Sequence, residues 1–161
     1  MYTKEKMLDE IKKNNIWLGR DGSGVPRIKK FLQNSTPGVT PQSFWPASEV
    51  GTTDLAKKEI IELISEELVF DTPKPEKLIK RIIEIATNPG DLVLDAYLGS
   101  GTTAATAHKL GRRYIGIEMG SQIKTHAMRR LKLVCEGEQT GISQEVNWAG
   151  GSGFHFFTLK K

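Results

Sequence analysis

The sequence holds a single cysteine, Cys135. One thiol excludes an internal disulfide and fits a reducing compartment, so a cytoplasmic protein is expected. No catalytic partner for that thiol is apparent, and Cys135 reads as an ordinary helix residue. No run of about 18 apolar residues occurs, and no membrane span is expected. The opening stretch MYTKEKMLDEIKKNN is charged and amphipathic, without the apolar core of a signal peptide. The three histidines, His108, His126 and His155, lack metal-site spacing. All three are predicted on the surface, and no metal is expected. Internal repeats and low-complexity tracts are absent.

What is present is one modest domain's worth of chain, 161 residues with 38% apolar and 26% charged side chains. The net charge of +4 leans weakly towards an anionic partner such as nucleic acid. The basic residues are scattered as pairs: Lys12–Lys13, Lys29–Lys30, Arg112–Arg113 and Arg129–Arg130. Each pair reads first as solvated surface, second as a phosphate contact.

Periodicity predicts a helix over residues 4–13, stopped by Asn14–Asn15, and a short strand over 16–18 before an RDGSG turn. Residues 33–46 read as loop. Asp54 is placed to cap a helix over 55–65. A further helix follows Pro75, with Leu78, Ile79, Ile82, Ile83 and Ala86 on its apolar face and Asn88-Pro89-Gly90 as its stop. A helix over 122–135 turns Ile123, Ala127, Leu131 and Val134 inward. The alternation of Phe154, Phe156 and Leu159 suggests a late strand.

The most informative stretch is DLVLDAYLGSGTTAATAHKLGRRYIGIEMG, residues 91–120. Leu92, Val93 and Leu94 read as a strand buried on both faces. Gly99 and Gly101 permit a sharp turn close to a ligand. Thr102, Thr103, Ala104, Ala105 and Ala107 open a helix whose free N–H groups face that turn. Tyr114, Ile115 and Ile117 form the next strand, and Glu118 ends it. That acid stands about 20 residues past the first glycine, the offset at which a carboxylate reaches a ribose hydroxyl pair. The pattern fits the loose dinucleotide fingerprint, but Thr-Thr follows the turn, and too little sequence remains for a second mononucleotide half. A P-loop is excluded because no GK[ST] closes the turn. A ligand with adenosine at one end and a charged amino-acid group at the other remains, and S-adenosylmethionine fits. A nicotinamide-binding domain is a remote alternative.

DTPKPEKLIKRIIEIATNPGDLVLDAYLGSGTTAA resembles the joined cofactor motifs of amino-methylating DNA methyltransferases of the permuted (beta) order. Their glycine motif reads D-P-F-x-G-S-G-T-T, against Asp95-Ala96-Tyr97-Leu98-Gly99-Ser100-Gly101-Thr102-Thr103 here. GVPRIKKFL, TPQSFW, EVGTTDLAKKE, GRRYIGIEMG and EGEQTGISQEVNWAGGSGFHFFTL resemble the modification subunit of type III restriction–modification systems. The resemblance implies an α/β, partial Rossmann-like methyltransferase fold: three-layered, with a mostly parallel sheet that is incomplete in this chain. It implies a division into residues 1–66, the end of a target-recognition region, and 67–161, the S-adenosylmethionine-binding part. Thr72, Pro73 and Lys74, with Gly99, Ser100, Gly101 and Thr102, would cradle the methionine end. Asp95 would lie near the cofactor amino group, Tyr97 would line the pocket, Glu118 would hold the ribose, and Met119 would pack on adenine. Ala96 replaces the family's proline, leaving the backbone before the turn less rigid.

In that family the chemistry belongs to a [DNS]-P-P-[YFW] tetrapeptide, which holds the amine of a flipped base. No such tetrapeptide occurs here. The resemblance therefore implies the C-terminal part of a site-specific DNA adenine-N6 methyltransferase of a restriction–modification system, inactive alone. The implied partners are DNA, a missing N-terminal methyltransferase segment or partner subunit, and a second copy as a homodimer. The alternative is a non-catalytic module that binds cofactor, DNA or a partner without turnover.

Overall fold

In a computed structural model the described residues are 3–34, 38–65 and 70–159. The chain divides into two units, Met1–Thr40 and Pro41–Lys161. The expected boundary between residues 66 and 67 lies outside the described residues.

In the first unit, α1 spans Lys4–Lys12, and the Thr3 side chain accepts from the Lys6 amide as its cap. Asn14, at φ 56°, ends it in the left-handed region. Two short antiparallel strands follow, β1 (Ile16–Trp17) and β2 (Arg27–Ile28), with Ile16 opposite Ile28.

The second unit begins with α2 (Ala47–Val50) and α3 (Thr53–Leu63). The cap of α3 is Thr52, whose hydroxyl accepts from the Leu55 amide at 3.3 Å; Asp54 sits inside the first turn. The helix starts earlier than expected because Thr52 satisfies an orphan donor, while Asp54 is left to complement the helix dipole. α4 runs Glu76–Ala86 behind Pro75. Its end is held by Arg112, whose guanidinium donates to the Thr87 carbonyl and hydroxyl and to the Leu110 carbonyl.

Then comes the parallel unit: β3 (Leu92–Asp95), α5 (Thr102–Lys109) and β4 (Arg113–Gly116), with Leu92 opposite Arg113 and Asp95 opposite Gly116. α5 lies on the sheet, and α4 and α6 (Met128–Glu136) pack against it. It is buried on nearly every side, and Ala104, Ala105 and Ala107 let the neighbouring elements approach closely. The core joins Leu98, Ala104, Ala105, Ala127, Leu131 and Val134, flanked by Tyr114, Ile123, Trp148 and Phe154. Residues Ile123–Ala127 form a π-helical turn leading into α6, so the expected helix over 122–135 is present with a widened first turn.

Three expectations change. β3 is not buried on both faces: Leu92 and Leu94 remain 50% and 64% exposed, and Ile115 and Ile117 beside them are similarly bare. Among the described residues, helices cover one face of a two-stranded parallel sheet, fewer strands and layers than expected. The third is the late strand. Residues 151–159 form no ladder; Phe154 packs on the core while Phe157 and Leu159 face solvent, so the aromatic alternation has no strand edge to pair with. No helix among the described residues is long and apolar enough to cross a membrane.

Candidate cofactor cleft

The glycine turn sits at the carboxyl ends of β3 and β4, where ligands bind in open α/β sheets. Gly99 and Gly101 have φ of 57° and 85°, the left-handed region that penalises a Cβ. Protein atoms crowd both. A Cβ on Gly99 would lie 3.2 Å from Phe70 Cζ, and one on Gly101 would lie 3.0 Å from Ala127 Cα. Gly101 caps α5 without any side-chain bond, so the amides opening that helix stay available to an acceptor.

Glu118 lies just past β4 and folds back over the turn. Its Oε2 accepts from the Gly99 amide at 2.8 Å and its Oε1 from the Gly120 amide at 2.9 Å. These bonds, that of Gly120 foremost, hold its carboxyl below the usual range. Asp95 Oδ1 accepts from the Tyr97 amide at 3.0 Å, which fixes the first bend after β3. Tyr97 and Met119, after β3 and β4 respectively, are 87% and 95% exposed.

Thr72 and Lys74 are exposed and joined by a bond from Lys74 Nζ to the Thr72 carbonyl, while Pro73 is buried. Phe70 ties this segment to the turn, lying under Gly99 and edge-on to His126. The Ser100 and Thr102 side chains are buried, their hydroxyls 3.3 Å apart, and Thr102 Oγ1 accepts from Arg130 Nη1 at 2.9 Å.

A family model described as DNA methylase matches residues 2–129. The chain belongs to this N6/N4 DNA methylase family. The chain is 58% identical over 86 residues to the "probable type III restriction-modification enzyme HindVI Mod subunit" of Haemophilus influenzae, covering 53% of this chain and 12% of that protein. It is 49% identical over 70 residues to the type II methyltransferase M1.MboII of Moraxella bovis, covering 44% and 27%. It is 53% identical over 60 residues to the DNA adenine methyltransferase YhdJ of Escherichia coli, covering 37% and 20%. The chain thus spans about a quarter or less of these relatives. Among solved structures, an M1.HpyAVI–SAM complex matches at 45% identity and a TM-score of 0.36, over 37% of this chain and 29% of that one.

This DNA methylase chain also carries polar groups that its sequence concealed. Glu76, Lys109 and Arg130 are all buried, although Arg129–Arg130 reads as a surface pair. Glu76 Oε1 accepts from Arg130 Nη2 at 2.8 Å, and Oε2 accepts from Lys109 Nζ at 2.7 Å and from the Ile142 amide at 3.1 Å. Burial alone would push the Glu76 carboxyl up; Arg130 and then Lys109 outweigh it and hold the group below its ordinary value. Lys109 also pairs with Glu138.

His108 and His126 are buried, not on the surface. His108 Nε2 donates to the Gly151 carbonyl at 3.1 Å, and Nδ1 shares a hydrogen bond with the Tyr114 hydroxyl at 3.1 Å. No sequence signal separates Glu76, Lys109 and Arg130 from their exposed neighbours, because these partners lie 28 to 66 residues apart in the chain.

Proposed function

We propose that these residues form the S-adenosylmethionine-binding part of a site-specific DNA adenine-N6 methyltransferase of a restriction–modification system. The observation that carries the reading is the Glu118 carboxylate held over the Gly99 turn at the carboxyl ends of two parallel strands. The Gly120 and Gly99 amides, with the Gln122 side chain and the Met119 amide, fix the carboxylate in place. A carboxylate so held would suit the paired hydroxyls of a ribose. The relatives' names, two Mod or adenine methyltransferase proteins and one M1 enzyme, support the substrate class.

On this reading Thr72, Pro73, Lys74, Gly99, Ser100, Gly101 and Thr102 would flank the methionine end. The two hydroxyls would act mainly by shaping the turn, because both side chains are buried. Asp95 would shape the bend beside the amino group. Exposed Tyr97 and Met119 would close over the nucleoside. Residues 1–66 would belong to target recognition, and 67–161 to the cofactor domain. When bound, S-adenosylmethionine supplies an electrophilic methyl on a sulfonium; the chain's own residues bind and orient it. A DPPY-type tetrapeptide, absent from these residues, would have to come from other polypeptide to hold the flipped adenine. The bare apolar sheet face of Leu92, Leu94, Ile115 and Ile117 favours such a covering partner, or a second copy.

Titration calorimetry tests the reading: S-adenosylhomocysteine should bind and NAD should not. Tighter binding of NAD would overturn it. Tritiated-methyl transfer to DNA should be absent for these residues alone and appear when the tetrapeptide is supplied. Turnover by these residues alone would refute that division of labour. Cofactor binding without transfer, even with the tetrapeptide supplied, would favour the non-catalytic module.

A further inference from the structure

We infer that Arg130, with its partner Glu76, is the positioning residue of the cofactor cleft, locking its two walls together. This rests on the cofactor reading of the cleft above. Glu76 opens α4 directly after Thr72–Pro75, so it reports the place of one wall. Thr102 opens α5 at the end of the glycine turn, so it reports the place of the other. The Arg130 guanidinium bridges them, with Nη2 on Glu76 at 2.8 Å and Nη1 on the Thr102 hydroxyl at 2.9 Å. Thr102 passes the contact on to Ser100 at 3.3 Å.

The energetics favour a positioning role over a cohesive one. Burying a charged pair costs several kcal/mol per ion, and a well-packed apolar trio would join three helices at least as well. What an apolar trio cannot do is fix direction. A planar fork with two fixed donor vectors sets the distance and orientation between its acceptors. The second half of the Glu76 carboxylate accepts from Lys109, at the far end of α5, and from the Ile142 amide. Lys109 thus ties α4 to the carboxyl end of α5, whereas Arg130 ties it to Thr102 at the glycine-turn end, where the cleft lies.

The test uses the full chain and three variants. Arg130→Lys keeps the charge and loses the fork. Thr102→Val keeps the shape and leaves every charge in place. Ile83→Val, in the core away from the network, lowers stability alone. Arg130→Lys and Thr102→Val should each weaken S-adenosylhomocysteine binding about tenfold, and the double variant should be no weaker than the poorer single. Ile83→Val should leave Kd unchanged. Unchanged Kd in both network variants overturns the proposal. Additive losses also overturn it, because they would place Thr102 on the ligand directly. Hydrogen exchange in the ligand-free chain separates this failure from that of the cofactor reading. The Ser100 and Gly101 amides should exchange faster in both network variants and not in Ile83→Val. If the unsubstituted chain binds no S-adenosylhomocysteine, the cofactor reading falls, and unaltered exchange would then end the positioning role as well.

Discussion

The Glu118 carboxylate and the Gly99 amide meet at 2.8 Å across 19 residues of sequence. This bond closes the turn onto the end of the neighbouring strand and sets a carboxylate beside the glycine turn. Replacing Glu118 with Gln keeps the shape and removes the charge. Charge-assisted bonds contribute about 1.5–3 kcal/mol, so S-adenosylhomocysteine affinity should fall about 10- to 100-fold by calorimetry, and Tm should fall as well because the same charge holds the Gly99 and Gly120 amides.

The same carboxyl is held below its ordinary range, as is Glu76. An unfolded glutamate titrates near about 4.3. The folded chain binds fewer protons there than the unfolded one, so both groups stabilise the fold fully above that pH. The contribution is lost as pH falls through their lower folded values. Denaturant midpoints should hold steady near neutrality and drop below about pH 4; Glu76→Gln should flatten that drop.

Tyr114 titrates in the opposite range. Burial first, and Cys135 second, push its phenol up to about 12. The folded chain retains a proton that the unfolded chain loses near about pH 10. Its stabilisation is therefore complete below that pH and lost as pH rises through the folded value. Ultraviolet titration should show one of the three tyrosines ionising last, and Tyr114→Phe should remove that step.

Gly101→Ala should destabilise the chain by about 1–3 kcal/mol in urea, because φ is 85° and the new Cβ would press on Ala127. Gly101→Val should be worse, so loss of binding in either variant reports the fold before it reports the ligand.

The bare sheet face should drive association. Leu94→Lys adds a charge at a position 64% exposed and should raise the monomer fraction in light scattering without lowering Tm by more than a few degrees. A purely monomeric unsubstituted chain would count against an apolar partner surface.

The βαβ unit and its glycine turn were legible because their causes are local. Apolar runs make β3 and β4, small residues make α5, and two glycines supply φ values that other residues resist. The cap of α3 was misplaced by two residues because Thr52 and Asp54 both qualify, and only the helix start chooses between them. The tail misled for a different reason. Alternating aromatics describe a strand only where another strand offers an edge, and Phe157 and Leu159 meet none.

By itself the sequence determined the family, the turn and the acid that answers it, since each depends on residues near one another in the chain. Tertiary structure alone decided that Arg130 is buried while Arg129 is exposed, and that His108 is interior. A charge enters the core only where partners await it. For Arg130 those partners are Thr102 and Glu76, 28 and 54 residues away, and their meeting is a property of the packed helices.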